Sequence, residues 1–303
     1  MSQPRPIPVV LPVMTHPVRR IGAREFDFSR QAAVMAVINR TPDSFHDQGA
    51  TFELNRAVEA CLAAAEAGAD WVDIGGVPFS PFAPKVSEAE ELDRVLPVIE
   101  AVSAASTVVV SVDTTRAAVA RQAISAGAGV INDTSCLADP EMPSVLAHSP
   151  QVGLVITHSL AKPFEHVEKP HYDDVTTEVA TTLADRVTQA TNAGVSPDQI
   201  IIDPGHDLNK NTLHTLQVTR ELGVLATLGH PVLAAVSNKD FIGETLDRAR
   251  GQRVAGSVTS AMWCLMAGAR IIRMHDVEAA LDTVGMFEAL MGWRAPVRLQ
   301  HNA

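Results

Sequence analysis

The sequence is poor in cysteine and has no long hydrophobic run. Its 303 residues include three cysteines, Cys61, Cys136 and Cys264, without CxxC spacing, so neither a disulfide framework nor a zinc cluster is indicated. No run approaches the length of a membrane span, and residues 7–13 are too short and too interrupted by proline to form a signal core. We therefore expect a cytoplasmic protein with reduced thiols and no membrane partner.

Positive charge and aromatic residues are also scarce. The formal net charge is −11, which argues against nucleic acid or an acidic membrane surface as a partner, because both select Lys and Arg. Hydrophobic residues make up 46% of the chain and aromatic residues only 4%, so the core is expected to be aliphatic. Such a core is typical of parallel strands covered by Ala-rich helices.

From residue 33 onward, short apolar runs alternate with longer helical patterns. Eight strands are predicted, beginning near residues 33, 71, 107, 129, 152, 199, 232 and 270, and each is followed by a helix. The helix near residues 87–105 starts with Ser87-Glu-Ala-Glu90, which has the form of a capping box, and the helix after the sixth strand is predicted near residues 211–225. An open doubly wound sheet would normally carry a glycine-rich turn after its first strand, and none is present. The pattern predicts an α/β fold, a TIM (β/α)8 barrel, in one domain over residues 18–295. A flexible segment, residues 1–17, is expected before it, and residues 18–30 read as a hairpin around Gly22.

Polar residues end most of these strands, at the face that carries chemistry in parallel barrels. Buried Asp113, Asn132 and Asp203 would be tolerated only if they were hydrogen-bonded. Converging acceptors of this kind suit a flat heterocycle with neighbouring N–H and carbonyl groups, although each residue alone could simply cap the following helix. The remaining strand ends are Asn39, Asp73, His158, Ser237 and His275.

Cationic groups follow strands seven and eight. Lys239 comes after strand seven, and Arg273 and His275 are two residues apart, so they point to the same side of strand eight. At this end of a barrel, the pattern fits a phosphate clamp with fork-shaped guanidinium donors. His206 and Asp207 come shortly after Asp203, but the absence of a second clustered histidine argues against a metal site there.

Seven ordered segments resemble those of the dihydropteroate synthase family, over residues 20 to 290. They are Asn39-Arg-Thr-Pro-Asp-Ser-Phe45, Asp73-Ile-Gly-Gly76, Ser111-Val-Asp-Thr114, Ile131-Asn-Asp133, Asp203-Pro-Gly205, Ser237-x-Lys239-x-Phe-Ile-Gly243 and Arg273-x-His-Asp276. The resemblance implies a homodimeric (β/α)8 barrel. It also implies that a dihydropterin pyrophosphate is joined to p-aminobenzoate with loss of pyrophosphate.

The resemblance also implies roles for individual residues. Asp113 and Lys239 would be catalytic, with Asp113 stabilising the pterin carbon that becomes cationic as pyrophosphate leaves. Asn39 would ligate Mg²⁺ on the diphosphate, which Arg273 and His275 would grip. Phe45 and Ser237 would frame p-aminobenzoate. The residues expected to hold the pterin are Asp113, Asn132, Asp203 and Lys239.

Several positions depart from the family pattern. Where the family has Glu-Ser-Thr-Arg-Pro-Gly, this chain has Val77-Pro-Phe-Ser-Pro-Phe82, which lacks the arginine and is stiffened by proline. Where the family has Ile-Gly-Phe-Gly-Lys, it has His206-Asp-Leu-Asn-Lys210, so Leu208 replaces the aromatic residue that stacks on the pterin. Thr157 stands where Met is usual, Asn238 replaces an Arg, and Arg40 replaces a small apolar residue.

These departures predict a divergent homologue with little or no synthase activity. One lost charge-assisted phosphate contact costs about 1.5 to 3 kcal/mol, and a lost stacking ring about 1 kcal/mol more. Pterin or p-aminobenzoate analogues remain expected ligands, with Mg²⁺ only where a diphosphate binds. The alternatives are a working synthase of folate biosynthesis in which Arg40 compensates, a pterin-binding methyltransferase, and a non-catalytic binding barrel.

Overall fold

The computed structural model describes residues 11–39, 54–78, 85–161, 163, 165 and 167–301. Residues 1–10 of the predicted N-terminal segment therefore lie outside the described residues. So do Arg40, Phe45 and most of the departing loop at residues 77–86.

Eight parallel strands form a closed barrel, as the sequence predicted. The strand order is β10-β3-β4-β5-β6-β7-β8-β9, so the first barrel strand pairs with the last. Each strand begins within two residues of its predicted start, because runs of Val and Ile between turn residues are a strong strand signal. The barrel strands are β3 (Ala33–Asn39), β4 (Trp71–Gly75), β5 (Val109–Asp113), β6 (Val130–Asp133), β7 (Gly153–Thr157), β8 (Ile200–Asp203), β9 (Val232–Ala234) and β10 (Ala269–Met274).

The predicted hairpin around Gly22 is present and plugs one end of the barrel. Strands β1 (Val18–Ile21) and β2 (Arg24–Asp27) pair antiparallel. Phe26 lies against Phe28 and edge-on to Trp71, each at 5.7 Å between ring centroids. These side chains pack on interior residues near the amino ends of the strands. The carboxyl ends of the strands are therefore the open face of the barrel.

Helices cover the outside of the barrel, and their inner faces form the larger apolar core with alternate strand residues. Ser87 caps α2 by accepting a hydrogen bond from the backbone N–H of Glu90 at 3.2 Å, as its sequence indicated. The helices are α1 (Leu54–Ala67), α2 (Glu88–Ala105), α3 (Ala117–Ser125), α4 (Met142–Ala147), α5 (Val175–Asn192), α6 (Thr212–Arg220), α7 (Gly223–Ala226), α8 (Asp240–Leu246), α9 (Val254–Met266) and α10 (Val277–Leu290).

Two helical segments differ from the sequence prediction. The single helix predicted near residues 211 to 225 is two helices, α6 and α7, that meet close to Gly223, a residue that propagates helix poorly. Helix α8 was not predicted. Its first amide groups are capped by Asp207, a residue of another loop, so the stabilising contact is not local in sequence. Within the described ranges, no helix is both long enough and apolar enough to span a membrane.

Candidate functional site

A cleft of about 920 Å³ opens at the carboxyl ends of the barrel strands. Strand alternation explains why polar residues line it: Val155, Ile201 and Ile271 face the barrel interior, so residues two positions further along also face inward, at the rim. The structure brings seven predicted site residues together in the lining of this cleft: Asp113, Asn132, Asp203, Ser237, Lys239, Arg273 and His275. Of the other two, Asn39 ends β3 but its side chain is not described, and Phe45 lies outside the described residues.

Asp73, on β4, has a buried carboxylate beneath the cleft. Its hydrogen bonds connect β4 to three other strands, β5, β6 and β10. Asp73 is fully buried and accepts hydrogen bonds from Ser111 Oγ at 2.6 Å and from Asn132 Nδ2 at 3.1 Å. Arg273 Nε donates to the same carboxylate at 2.7 Å. A buried charge needs such partners to be tolerated. Asp73 therefore fixes the orientation of Asn132 and Arg273 before any ligand arrives.

Asp113 lies beside this buried pair. Its Oδ1 accepts a hydrogen bond from Thr134 Oγ1 at 3.2 Å, and its Oδ2 lies 3.6 Å from a terminal nitrogen of Arg273. Burial, together with the negative charge of Asp73, raises the pKa of Asp113 to about 7, although Arg273 opposes the shift. Near neutral pH this carboxyl group can therefore accept a hydrogen bond as a carboxylate or donate one as an acid.

Asn132 and Asp203 supply further hydrogen-bonding atoms to the cleft. Asn132 is 2% exposed, and its Oδ1 has no hydrogen-bond partner among the described residues. Asp203 Oδ1 accepts from the backbone N–H of Gly205 at 2.7 Å, and burial raises the pKa of Asp203 to about 6. Acceptors from β6 and β8 therefore line the same cleft.

Two lysines give the cleft positive charge on the side of β8 and β9. Burial lowers the pKa of Lys239. Lys210 Nζ donates to His158 Nδ1 at 2.9 Å and to the carbonyl groups of Gly205 and Leu208, each at 3.1 Å, and burial lowers its pKa to about 7. Sequence reasoning did not assign Lys210 to the site. The sequence signal that could have identified Lys210 is its position seven residues after Asp203, in a loop that the strand end places at the cleft. A lysine buried there needs hydrogen-bond acceptors.

Arg273 and His275, the two residues of the predicted phosphate clamp, both have partners within the protein. Although burial works against a charge, Asp73 and Asp113 raise the pKa of Arg273, so its guanidinium stays charged. This guanidinium is already engaged with both carboxylates. His275 lies near Ser237, with its backbone N–H donating to Ser237 Oγ at 3.1 Å and its Nδ1 3.0 Å from the same oxygen.

Carboxylates outnumber cations among the described residues that line the cleft. Seven acidic side chains face four basic ones. An anion entering the cleft would meet this excess of negative charge in a partly dry setting, where charges interact more strongly than in water. The acidic residues are Glu91, Asp113, Glu165, Glu168, Asp203, Asp207 and Asp240, and the basic residues are Lys210, Lys239, Arg250 and Arg273.

Residues 35–275 match the family described as pterin binding enzyme. The chain belongs to this family. Inactive dihydropteroate synthase 2 of Mycobacterium leprae is 40% identical over 88% of this chain and 92% of its own length.

Solved structures of family members have the same fold. A dihydropteroate synthase of Xanthomonas albilineans bound to 4-aminobenzoic acid is 39% identical, with a TM-score of 0.83 over 91% of this chain and 98% of its own. The Xanthomonas albilineans synthase in complex with 7,8-dihydropteroate aligns with 36% identity and a TM-score of 0.78, over 90% and 98% of the two chains. This chain is therefore a divergent homologue of dihydropteroate synthase.

Two of the departures from this pterin-binding family lie in the loop after β8 and join it to its neighbours. Asp207 and Asn209 have φ values of 61° and 48°, which Asp and Asn tolerate better than most residues. Asp207 Oδ2 accepts from the backbone N–H of Asp240 at 2.6 Å. Asn209 Oδ1 accepts from Ser159 Oγ at 2.8 Å and from two backbone N–H groups at 3.0 Å. Hydrogen bonds therefore connect the loops after β7, β8 and β9 at the rim of the cleft.

The Asp73–Arg273 ion pair was missed by sequence reasoning, although both residues had been noted at strand ends. They are 200 residues apart in sequence, and the barrel brings them together only because β10, β3 and β4 are neighbours. The alternation of side chains along a strand could have indicated the position of Asp73. Asp73 lies two residues after Trp71, which faces the barrel interior, so Asp73 also faces inward.

Proposed function

We propose that this protein is a pterin-binding barrel with little or no dihydropteroate synthase activity. The observation that carries the proposal is the state of Arg273. Its guanidinium is bound by Asp73 at 2.7 Å and lies 3.6 Å from Asp113, within a cleft where carboxylates are in excess. The side chains that could bind a heterocycle, Asp113, Asn132 and Asp203, are retained. Arg273, which would bind a diphosphate, is already paired with carboxylates.

Pterin recognition would use the groups that converge in the cleft. Asp113, Asn132 and Asp203 offer oxygens to the amino and ring N–H groups of a pterin, and Lys239 would donate to its carbonyl oxygen. Asn132 is the strongest element of this proposal, because its Oδ1 is buried and unpartnered among the described residues. A buried acceptor of this kind gains most from a ligand donor.

Diphosphate binding would be weak for electrostatic reasons. To grip a phosphate, Arg273 would have to share or leave a buried carboxylate, and uncompensated buried charges are costly. The sequence at residues 77–82 provides no arginine to replace it. Catalysis by Asp113 and Lys239, and the framing of p-aminobenzoate by Ser237 and Phe45, are therefore expected to be residual at most.

Mg²⁺ would enter this site only together with a diphosphate. Among the described residues, no group of three or more His, Cys, Asp or Glu could hold a metal ion. The phosphate oxygens would have to supply most of the ligands, with Asn39 as the protein ligand, because Mg²⁺ prefers oxygen donors. Bound in this way, Mg²⁺ would neutralise charge on the leaving diphosphate.

Calorimetry with two pterins tests this function. The full-length protein is expected to bind 6-hydroxymethylpterin and to gain no affinity from a diphosphate on the hydroxymethyl group, even with MgCl₂ present. Asn132→Leu should abolish both interactions, because it removes the buried acceptor. Low-micromolar binding of the diphosphate ester, at least tenfold tighter than the alcohol, would contradict the electrostatic argument.

A working synthase is the second candidate, supported by the 39% identity with the Xanthomonas albilineans enzyme. Complementation of a synthase-deficient strain separates the two functions. Growth without added folate end products would favour the synthase, and failure to grow despite soluble expression would favour the pterin-binding barrel.

A homodimer is part of the proposal. Helices α9 and α10 pack side by side and expose large apolar side chains, with Trp263 at 53%, Met286 at 56% and Leu290 at 63% exposure. Exposed large apolar side chains on adjacent helices are typical of interaction surfaces. We propose that this surface joins two copies of the chain.

We also propose that the protein works in the cytoplasm. Cys61, Cys136 and Cys264 are all buried free thiols. Burial raises the pKa of Cys61 and of Cys264 to about 12, so both remain protonated and unreactive. Unpaired thiols of this kind suit a reducing compartment.

A further inference from the structure

Buried polar atoms without partners are concentrated at the carboxyl ends of β6, β7 and β8. In the described part of the chain, eleven buried side-chain nitrogen and oxygen atoms have no hydrogen-bond partner, and six of them belong to residues at or just after these three strands. An unpaired buried polar group is costly, so such a cluster indicates a missing partner. Three of the residues concerned, Asn132, Thr157 and His206, line the cleft.

Thr157 lies in the floor of the cleft. It ends β7 directly beside Asp203 of β8, and it is 1% exposed. Val155 faces the barrel interior and Ile156 faces the helices, so the Thr157 side chain points inward, toward the cleft. Its Oγ1 has no partner within the described residues. A threonine hydroxyl can both donate and accept a hydrogen bond.

His206 lies in the wall of the same cleft, three residues after Asp203. It is 1% exposed, its ring stacks on Phe241 at 6.4 Å between centroids, and neither ring nitrogen has a partner among the described residues. Burial, together with the charge of Lys239, lowers the pKa of His206 to about 3, so the ring is neutral. A neutral imidazole offers one donor and one acceptor, whichever tautomer is present.

Thr157 and His206 can therefore each donate one hydrogen bond and accept one. A lactam, in which a carbonyl oxygen neighbours an N–H group, supplies one acceptor and one donor to such a pair. A diphosphate supplies only acceptors and much negative charge. A simple alkyl substituent supplies neither, and would leave Thr157 and His206 unpaired.

We propose that Thr157 and His206 form a polar subsite that selects a pterin carrying a second lactam, that is, an oxo group on its pyrazine ring. This inference rests on the proposed pterin-binding function and names the substrate class of that cleft. The pterin's first amide meets Asp113, Asn132, Asp203 and Lys239, and its second lactam meets the hydroxyl and the imidazole. Both Thr157 and His206 are specificity-determining residues in this scheme.

Calorimetry of the full-length protein with pterin, its 6-oxo derivative xanthopterin and its 7-oxo derivative isoxanthopterin tests the subsite. One of the two oxo derivatives is expected to bind about tenfold tighter than pterin, as a gained buried hydrogen bond would give. Thr157→Val, which removes only the hydroxyl group, and His206→Leu should each reduce this preference to about threefold or less.

Conservative variants distinguish recognition from a merely structural role. Thr157→Ser keeps a hydroxyl group and His206→Gln keeps a donor and an acceptor, so both should retain the preference for the oxo derivative. Thermal unfolding of every variant establishes that it is folded, and Thr157→Val, which is nearly isosteric, decides the question if His206→Leu does not fold.

The outcomes separate this inference from the function on which it rests. Equal binding of all three pterins, or a preference that survives in Thr157→Val, overturns the subsite and leaves the pterin-binding function intact. Failure of all three to bind, together with 6-hydroxymethylpterin, overturns both.

Discussion

Asp73 is the residue on which the geometry of the cleft depends most. It has no exposure and is hydrogen-bonded to Ser111, Asn132 and Arg273. Asp73→Asn would leave the buried guanidinium of Arg273 without its nearest counter-charge. We expect the free energy of unfolding to fall by about 3 to 5 kcal/mol, measured by urea denaturation.

A surface ion pair provides the matched control for this substitution. Glu141 lies 3.6 Å from Arg121, and the two side chains are 72% and 60% exposed. Glu141→Gln should cost less than about 1 kcal/mol, because solvent screens an exposed pair. Similar losses in the two variants would contradict the role given to Asp73.

Asp113 should make stability depend on pH. Its pKa rises from the ordinary value of 3.8 to about 7 in the folded protein, chiefly by burial. The folded state therefore binds this proton more tightly than the unfolded state, and the resulting stabilisation is complete below pH 4 and lost as the pH rises through about 7. The difference in unfolding free energy between wild type and Asp113→Asn should fall across this window.

Urea denaturation of both proteins from pH 4 to pH 8.5 measures this difference. The subtraction removes the opposing contributions of buried His158, His206 and His230, whose pKa values burial lowers. A difference that is constant from pH 4 to pH 8.5, or that grows as the pH rises, would show that Asp113 is not held in its protonated form by the fold.

At the scale of the elements, the loop after β8 is hydrogen-bonded to the loops after β7 and β9. Asn209 Oδ1 accepts hydrogen bonds from the backbone N–H groups of Leu160 and Ala161, each at 3.0 Å. Asn209→Gly keeps the positive φ angle and removes the acceptor. Amide hydrogen exchange at Leu160 and Ala161 is expected to accelerate by about tenfold or more.

Asn209→Asp is the control, because it keeps an acceptor oxygen at the same place. Its exchange rates at Leu160 and Ala161 should stay close to those of wild type. Equal acceleration in both variants would indicate that the backbone conformation of residue 209, and not its side chain, holds the neighbouring loop.

The elements themselves were largely predictable from the sequence, while the links between them were not. Apolar runs of β-branched residues fixed the eight strands, and Ser87 marked the start of α2 by its side-chain chemistry. Helix α8 was missed because its cap, Asp207, lies 33 residues away. The Asp73–Arg273 pair was missed for the same reason. Site residues could be placed at strand ends, but their partners depended on the closed order of the barrel.

At the scale of the whole molecule, α9 and α10 present an apolar surface that suits a second copy. Sedimentation velocity is expected to give the mass of two chains at micromolar concentration. The double variant Met286→Glu and Leu290→Glu places charges on this surface and should give the mass of one chain, because burying unpaired charges is costly.

Leu299→Glu serves as the control, since Leu299 is 77% exposed near the end of the chain, beyond α10. This variant should remain a dimer. A wild-type protein that sediments as one chain at all concentrations would refute the dimer, and a double variant that remains a dimer would place the interface elsewhere.

The pairing of β10 with β3 has a consequence for the way the protein is made. On one edge of β3, Ala33 to Ala36 pair with residues 271–274, more than 230 residues later in the sequence. During synthesis, this edge of β3 must wait unpaired until β10 has left the ribosome. A chain terminated before residue 269 would be an open sheet with two unpaired edges, so a stop codon before that residue should yield insoluble product.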